Sequence, residues 1–102
     1  MELFLEANKH GRGILVEDNS GLTYNGEFLN NLRQGPGTLS NENMDYVYEG
    51  NWENGVKNGQ GQLVTPDFKY SGAFKNNEFH GNGIYVDNTG NIYEGEYLNG
   101  VK

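Results

Sequence analysis

Cysteine is absent from this 102-residue chain, proline occurs twice, and 7 Lys and Arg stand against 14 Asp and Glu. Each shortage excludes something. Without cysteine there is neither a disulfide framework nor a thiolate metal site, and an intracellular, cytoplasmic location is the default expectation. A formal charge of −7, with no two Lys or Arg adjacent, argues against gripping a nucleic-acid backbone, which takes clustered cations. The same balance disfavours contact with an anionic membrane surface. No apolar run approaches the roughly 18 residues of a membrane span, and residues 1–5 lack the basic start and apolar stretch of a secretory leader. Apolar residues make up only 34% of the chain. That is too little, in one small domain, for the deep core around which a conventional enzyme builds a cleft.

Glycine is what the chain has in excess, at 16 residues, and its placement is periodic. The runs Tyr24-Asn25-Gly26-Glu27-Phe28, Tyr48-Glu49-Gly50-Asn51-Trp52, Tyr70-Ser71-Gly72-Ala73-Phe74 and Tyr93-Glu94-Gly95-Glu96-Tyr97 are near copies, spaced by 24, 22 and 23 residues. A period in this range marks a repeat architecture, in which each unit touches only its neighbours and no large central core is needed. Full copies span 24–47, 48–69 and 70–92, with partial copies at 1–23 and 93–102.

The copy at 48–69 reads as a β-hairpin. Tyr48, Gly50 and Trp52 alternate with Glu49, Asn51 and Glu53 at period 2, Asn54-Gly55 is a strong turn signal, and Gly59, Gly61 and Leu63 alternate on the return strand. Alternation puts both rings on one face with Gly50 between them. A glycine there leaves a gap for a ring from the adjacent strand or repeat, which is a reason to place it in a strand that it otherwise weakens. The turns Asn30-Asn31 and Asn76-Asn77 use the residue that best tolerates positive φ after glycine. The second ring always precedes the Gly-x-Gly pair by seven residues, so the hairpins share one geometry. Phe4 and Gly11-Arg12-Gly13-Ile14-Leu15 form a degraded first copy, with Glu2 where the others carry Gly. Residues 93–102 start a copy that stops before any return strand, which leaves an edge open to more of a longer array or to another chain.

These residues resemble the MORN (membrane occupation and recognition nexus) repeat family, whose unit runs Tyr-x-Gly-x-aromatic, Asn-Gly, then His-Gly-x-Gly or a close variant. His10-Gly11-Arg12-Gly13 and His80-Gly81-Asn82-Gly83 carry the His form; Arg33-Gln34 and Lys57-Asn58 depart from it. The resemblance implies an all-β fold, an elongated, twisted antiparallel sheet of successive hairpins with a ring-lined side. Members of the family occur beside kinase or methyltransferase domains and in ciliary, cytoskeletal and junctional scaffolds. Their usual role is protein binding or self-association, with a lipid role for some. Five hairpins with strands ~4.8 Å apart would make a rod roughly 40–45 Å long.

The candidate partner-binding residues are Tyr24, Phe28, Tyr48, Trp52, Tyr70, Phe74, Tyr93 and Tyr97, since Tyr and Trp are the usual anchors of interfaces. The plainer reading is that they stack on one another as the core. Both hold if one ring edge is buried and the other exposed. The Gly-x-Gly pairs lie within strands, without a third Gly or a following helix, so they are not phosphate loops. His10 and His80 sit at equivalent positions far apart and suit structural hydrogen bonds rather than metal ligation. Asp87-Asn88-Thr89-Gly90-Asn91 lacks calcium-loop spacing and reads as a turn. Glu27, Glu49, Glu53, Glu94 and Glu96 form a solvated face that would steer a basic partner.

No catalytic constellation is present, and no cofactor or metal is implied. The expectation is a non-enzymatic scaffolding or protein-interaction module, binding a basic or amphipathic protein segment along the ring-lined face. A homodimer through the terminal repeat is a further expectation, as is cytoskeletal or membrane association through partners. Other readings are a membrane-tethering module, an accessory domain that positions the substrate of a larger enzyme, and a ring cage for quaternary amines of the choline-binding kind.

Overall fold

A computed structural model describes residues 11–17 and 21–101. The expected first strand of the degraded copy, with Glu2 and Phe4, and His10 lie outside these residues. Eight strands follow one another: β1 (Gly11–Glu17), β2 (Leu22–Leu29), β3 (Leu32–Asn41), β4 (Val47–Glu53), β5 (Val56–Val64), β6 (Phe68–Lys75), β7 (Glu78–Asp87) and β8 (Ile92–Tyr97). They form one antiparallel sheet in sequence order, so every strand pairs with its neighbours in the chain. The described residues measure 45 × 26 × 17 Å, in line with the expected rod.

The hairpin tips follow from their residues. Asn30-Asn31, Asn54-Gly55, Asn76-Asn77 and Asn99-Gly100 all have positive φ at both positions, between 50° and 89°, the signature of the two-residue turn that matches strand twist. The last three tips are each tied to the return strand of the previous hairpin. Gly55 N donates to Arg33 O at 3.0 Å, Asn77 N to Lys57 O at 3.0 Å and Gly100 N to Phe79 O at 2.8 Å. Three links at the other edge, those after β3, β5 and β7, each have a side-chain organiser. Asn41 Oδ1 accepts from the amides of Asp45 and Tyr46, Thr65 Oγ1 from those of Asp67 and Phe68, and Asp87 Oδ1 from those of Thr89 and Asn91.

The register explains the glycines. Gly13, Gly26, Gly37, Gly50, Gly61, Gly72, Gly83 and Gly95 face one another from strand to strand, one per strand, in an unbroken row across the sheet. Over this row lie the first rings of the copies. Tyr24, Tyr48, Tyr70 and Tyr93 each donate a hydroxyl hydrogen bond to the carbonyl three residues on, those of Glu27, Asn51, Ala73 and Glu96, at 2.8–3.0 Å. A Cβ added at Gly37, Gly61 or Gly83 would lie 2.2, 2.4 or 2.3 Å from one of these hydroxyl oxygens. The gap beside Gly26, Gly50, Gly72 and Gly95 is therefore filled by the tyrosine two residues back on the same strand, and that beside Gly37, Gly61 and Gly83 by the same ring reaching from the adjacent strand. Of the two sources expected, adjacent strand or adjacent repeat, neither fills the first set and the adjacent strand fills the second.

The leading glycine of each Gly-x-Gly has a different task. In every hairpin the register shifts between the strand glycine and the second ring, and the return strand bulges there. Gly35, Gly59 and Gly81 take φ of 74°, 94° and 69°, a region that other L-residues enter at a cost. Glu27, Asn51 and Ala73 lose their hairpin partner at the bulge, and theirs are the carbonyls that the tyrosines take up. The two halves of the motif serve one site, which accounts for the fixed spacing.

Gly61→Ala is expected to cost on the order of 1–3 kcal/mol by overpacking against Tyr48, read from urea unfolding. The cost should shrink when Tyr48 has first been replaced by Leu. An equal cost in both backgrounds would show that the Tyr48 ring does not fill that space.

Candidate interaction face

Alternation along eight paired strands gives the sheet two unlike faces. On one, the rings form a single ladder: Phe28, Tyr24, Trp52, Tyr48, Phe74, Tyr70, Tyr97, Tyr93. Successive centroids are 5.1–5.5 Å apart and the planes meet at 79–90°. Edge-to-face contacts of this kind contribute about 0.5–1.5 kcal/mol each beyond the area they bury. Every second contact crosses from one repeat to the next, so the ladder joins the repeats as well as filling them.

The ladder is the core. Tyr24, Tyr48 and Tyr70 have no exposed surface, and Phe28, Trp52, Phe74 and Tyr97 are buried with Leu39 and Leu63; Tyr93 is half-buried. Of the eight candidate partner-binding rings, seven thus build the face from within. Beside the ladder lies a margin that sequence reasoning passed over: Leu15, Leu22, Tyr46, Phe68, Phe79 and Tyr85, all partly buried against it. The signal was present in the alternation. Leu22, Tyr46 and Phe68 stand two residues before the first ring of a copy and share its face.

Burial sets the phenol chemistry. Loss of water pushes the Tyr48 hydroxyl up to about 12, with the Asn51 carbonyl hydrogen bond opposing. Burial likewise raises Tyr24, Tyr70 and Tyr97. These hydroxyls stay protonated; those of Tyr24, Tyr48 and Tyr70 act as donors, while that of Tyr97 is buried without a hydrogen-bond partner. Trp52 uses its indole Nε1 to donate to Gly37 O at 3.2 Å.

Over the ladder sit the residues paired with the second rings. Arg33, opposite Phe28, holds its guanidinium carbon 5.0 Å from the Trp52 centroid and 5.4 Å from that of Tyr24. Lys57, opposite Trp52, places Nζ 5.4 Å from Tyr48 and 5.7 Å from Trp52. Phe79, opposite Phe74, stacks on Tyr70 at 3.9 Å and 11°. Arg33 and Lys57, which look in the sequence like departures from the repeat, thus occupy a working position that takes either a cation or a ring. Burial lowers the Lys57 ammonium below the ordinary lysine range, and nearby Arg33 adds to the effect. Next to Lys57 a depression of 310 Å³ is lined by Tyr46, Leu63, Asn77, Glu78, Phe79 and Gly100.

The opposite face is mainly polar, with Ile14 and Ile84 exposed among its side chains. Glu27, Glu49, Glu53, Glu94 and Glu96 are exposed there. Arg12 and Glu27 approach to 4.0 Å, both well exposed, a pair of little energetic weight. A shallow groove of 470 Å³ crosses this face between Gln60, Ser71, Asn82, Ile84 and Glu94. His80 has its Nδ1 buried with no hydrogen-bond partner, so the structural bond expected for it is not made through that atom. In the link after β7, Asp87 accepts from Thr89 Oγ1 and Asn91 Nδ2 besides the two amides; it organises a turn. Among the described residues there is no group of three or more His, Asp or Glu arranged to hold a metal ion, and no helix long and apolar enough to cross a membrane.

The described residues thus form a single-layer sheet of hairpin repeats with a one-sided aromatic core. The chain belongs to the MORN repeat family: the family model matches residues 24–43, 48–68, 70–92 and 93–102, stretches that open on Tyr24, Tyr48, Tyr70 and Tyr93. MORN repeats are associated with interaction with proteins and membranes. Comparison with curated proteins gave no match.

Two measurements check this description. Trp52, the only tryptophan, is 3% exposed. Its native emission should be blue-shifted and resistant to iodide, and should move to the exposed type in one step with urea; native quenching would contradict its place in the ladder. The Asp87 carboxyl, held by Thr89 and Asn91, should titrate at about 2 by carbon-detected NMR. Because its native form is the carboxylate, its contribution to the link is complete above the ordinary carboxylate range and is lost as pH falls through about 2. A midpoint at the ordinary value would show the turn open.

Proposed function

We propose that the chain is a protein-interaction module that binds an amphipathic segment of a partner along the ring-lined face. The observation that supports this most is the asymmetry of the sheet. One face carries a continuous aromatic ladder whose margin of Tyr46, Phe68, Phe79 and Tyr85 is only partly buried, and no second layer covers it among the described residues. Partly exposed aromatic side chains set around a rigid, dry centre are what interface hot spots are built from. A sheet whose rings are locked by hydrogen bonds and packing presents such a margin with little entropy left to lose on binding.

Of the two partner chemistries expected from sequence, basic and amphipathic, the second suits this face better. Arg33 and Lys57 already occupy the cation sites above the rings, and a strongly basic segment would meet like charge there. Membrane attachment as the primary role fits less well, because the exposed face opposite the ladder carries glutamates. As part of a longer chain, the same module would serve as an accessory domain to an enzyme without change in this reading.

The test is selection of 16-residue peptides from a displayed random library, followed by NMR mapping of the bound clones. Shifts clustered on Leu15, Tyr46, Phe68 and Tyr85 are expected, with Phe68→Ala weakening binding by about tenfold while the β circular-dichroism signal is kept. A footprint on Glu49, Gln62 and Glu94 instead, or binding to anionic liposomes with no peptide selected, would overturn the proposal.

A further inference from the structure

The two faces also differ in charge, although Arg12 shares the polar face with Glu27. The first-strand glutamates point to the polar face, while the cations at the ring-paired position of the return strands, Arg33 and Lys57, lie on the ladder. Lys57 is the sharper case. Its ammonium is partly withdrawn from water above Tyr48 and Trp52, and among the described residues no carboxylate forms an ion pair with it. Immediately beside it the 310 Å³ depression is floored by the apolar surfaces of Tyr46, Leu63 and Phe79.

A half-buried cation with no ion pair among the described residues, next to a shallow hollow with an apolar floor and a polar rim, is complementary to one kind of ligand group. A carboxylate brought there on an apolar segment gains a charge-assisted hydrogen bond in a site that has already lost part of its hydration. The apolar side chain beside the carboxylate excludes the remaining water and strengthens the pair. A cationic group would meet Lys57 and Arg33 together and lose on both counts. The other charged group at the depression is Glu78, on its rim; it disfavours a second acid on the Phe79 side. The net charge of −7 opposes a run of acids at long range but is screened at physiological salt. The chemistry that fits is therefore a single acid among apolar residues.

Resting on the ring-face reading above, we infer that the docked partner is an amphipathic peptide segment with one acidic side chain against Lys57 and an apolar side chain in the hollow between Tyr46 and Phe79. Lys57 is then the residue that selects among partners, and the ladder supplies the common floor. Its place in the repeat explains how selection arises: the same position is Arg in the copy before and Phe in the copy after, so each copy can read a different group on the segment.

The clones chosen from the displayed 16-residue library provide the test. Sequences that map to the ring face should be enriched in an Asp or Glu within a few positions of a large apolar residue. Lys57→Glu should weaken them by tenfold or more, given about the loss seen when one partner of a desolvated pair is removed. Replacing the peptide's acid by Lys should restore binding to Lys57→Glu, and that exchange separates a lost charge pair from a damaged fold. Lys57→Met, which keeps the stem over the rings, should retain the fold by urea unfolding while losing the preference for acid over amide in the peptide. Ring-face clones without acidic enrichment, or without response to Lys57→Glu, overturn this inference and leave the ring-face reading standing. Clones that map to the glutamate face, a library that yields none, or Lys57-dependent pelleting with phosphatidylserine vesicles in their place, overturn both.

Discussion

A tyrosine ring can lie along the surface of its own strand only where the backbone beneath it and beside it has no Cβ. In this chain that constraint is met four times by the same device, a hydroxyl bonded to the carbonyl three residues on with a glycine under the ring, and for Tyr24, Tyr48 and Tyr70 a second glycine lies across from it. Much else follows from it. The ring must be Tyr and not Phe, because the bulge at Gly35, Gly59 or Gly81 leaves that carbonyl without its hairpin partner. The second ring must stand four residues on to meet the first edge-on. The return strand must place its own glycine at the register opposite.

A sheet on which, among the described residues, no second layer packs is an unusual solution, since a strand face that is apolar ordinarily needs one to cover it. Here the second layer is made by the side chains themselves. The tyrosines turn down onto the glycine row, the second rings pack against them, and Arg33, Lys57 and Phe79 close over the top. This yields a dry centre under a surface only partly covered, and the remaining margin is what the interaction proposal uses. On that proposal, stability and binding draw on one ladder of rings. Rings in the middle of the ladder hold the fold, and those at its border, with Lys57 among them, are free to differ between copies.

Much of this was legible from residue order. Period-2 alternation, Asn-Gly and Asn-Asn turns and the recurrence of Tyr-x-Gly-x-aromatic fix the strands, the tips and their order, because each rests on local backbone chemistry. The partner of each glycine was not legible. A gap in a strand says that something fills it but not from which direction, and only the pairing register shows that Tyr48 covers Gly50 and Gly61 from its own side. The roles of Arg33 and Lys57 escaped for a similar reason. Judged against the repeat they are deviations, and their position over Trp52 depends on a bulge that shifts the register by residues not paired at all. The divided charge of the two faces was half visible, in the glutamates of the first strands.

The central claim is that one ring ladder joins the repeats into a single unit. It is tested most directly by a double-mutant cycle between Tyr48 and Phe74, rings of neighbouring repeats 5.1 Å apart at 87°, each changed to Leu and followed by urea unfolding. A coupling energy of about 0.5–1.5 kcal/mol is predicted. Tyr24 and Phe74, which share no ring contact, should show a coupling within about 0.5 kcal/mol of zero. Equal, negligible coupling in both pairs would contradict the ladder as the element that binds one repeat to the next.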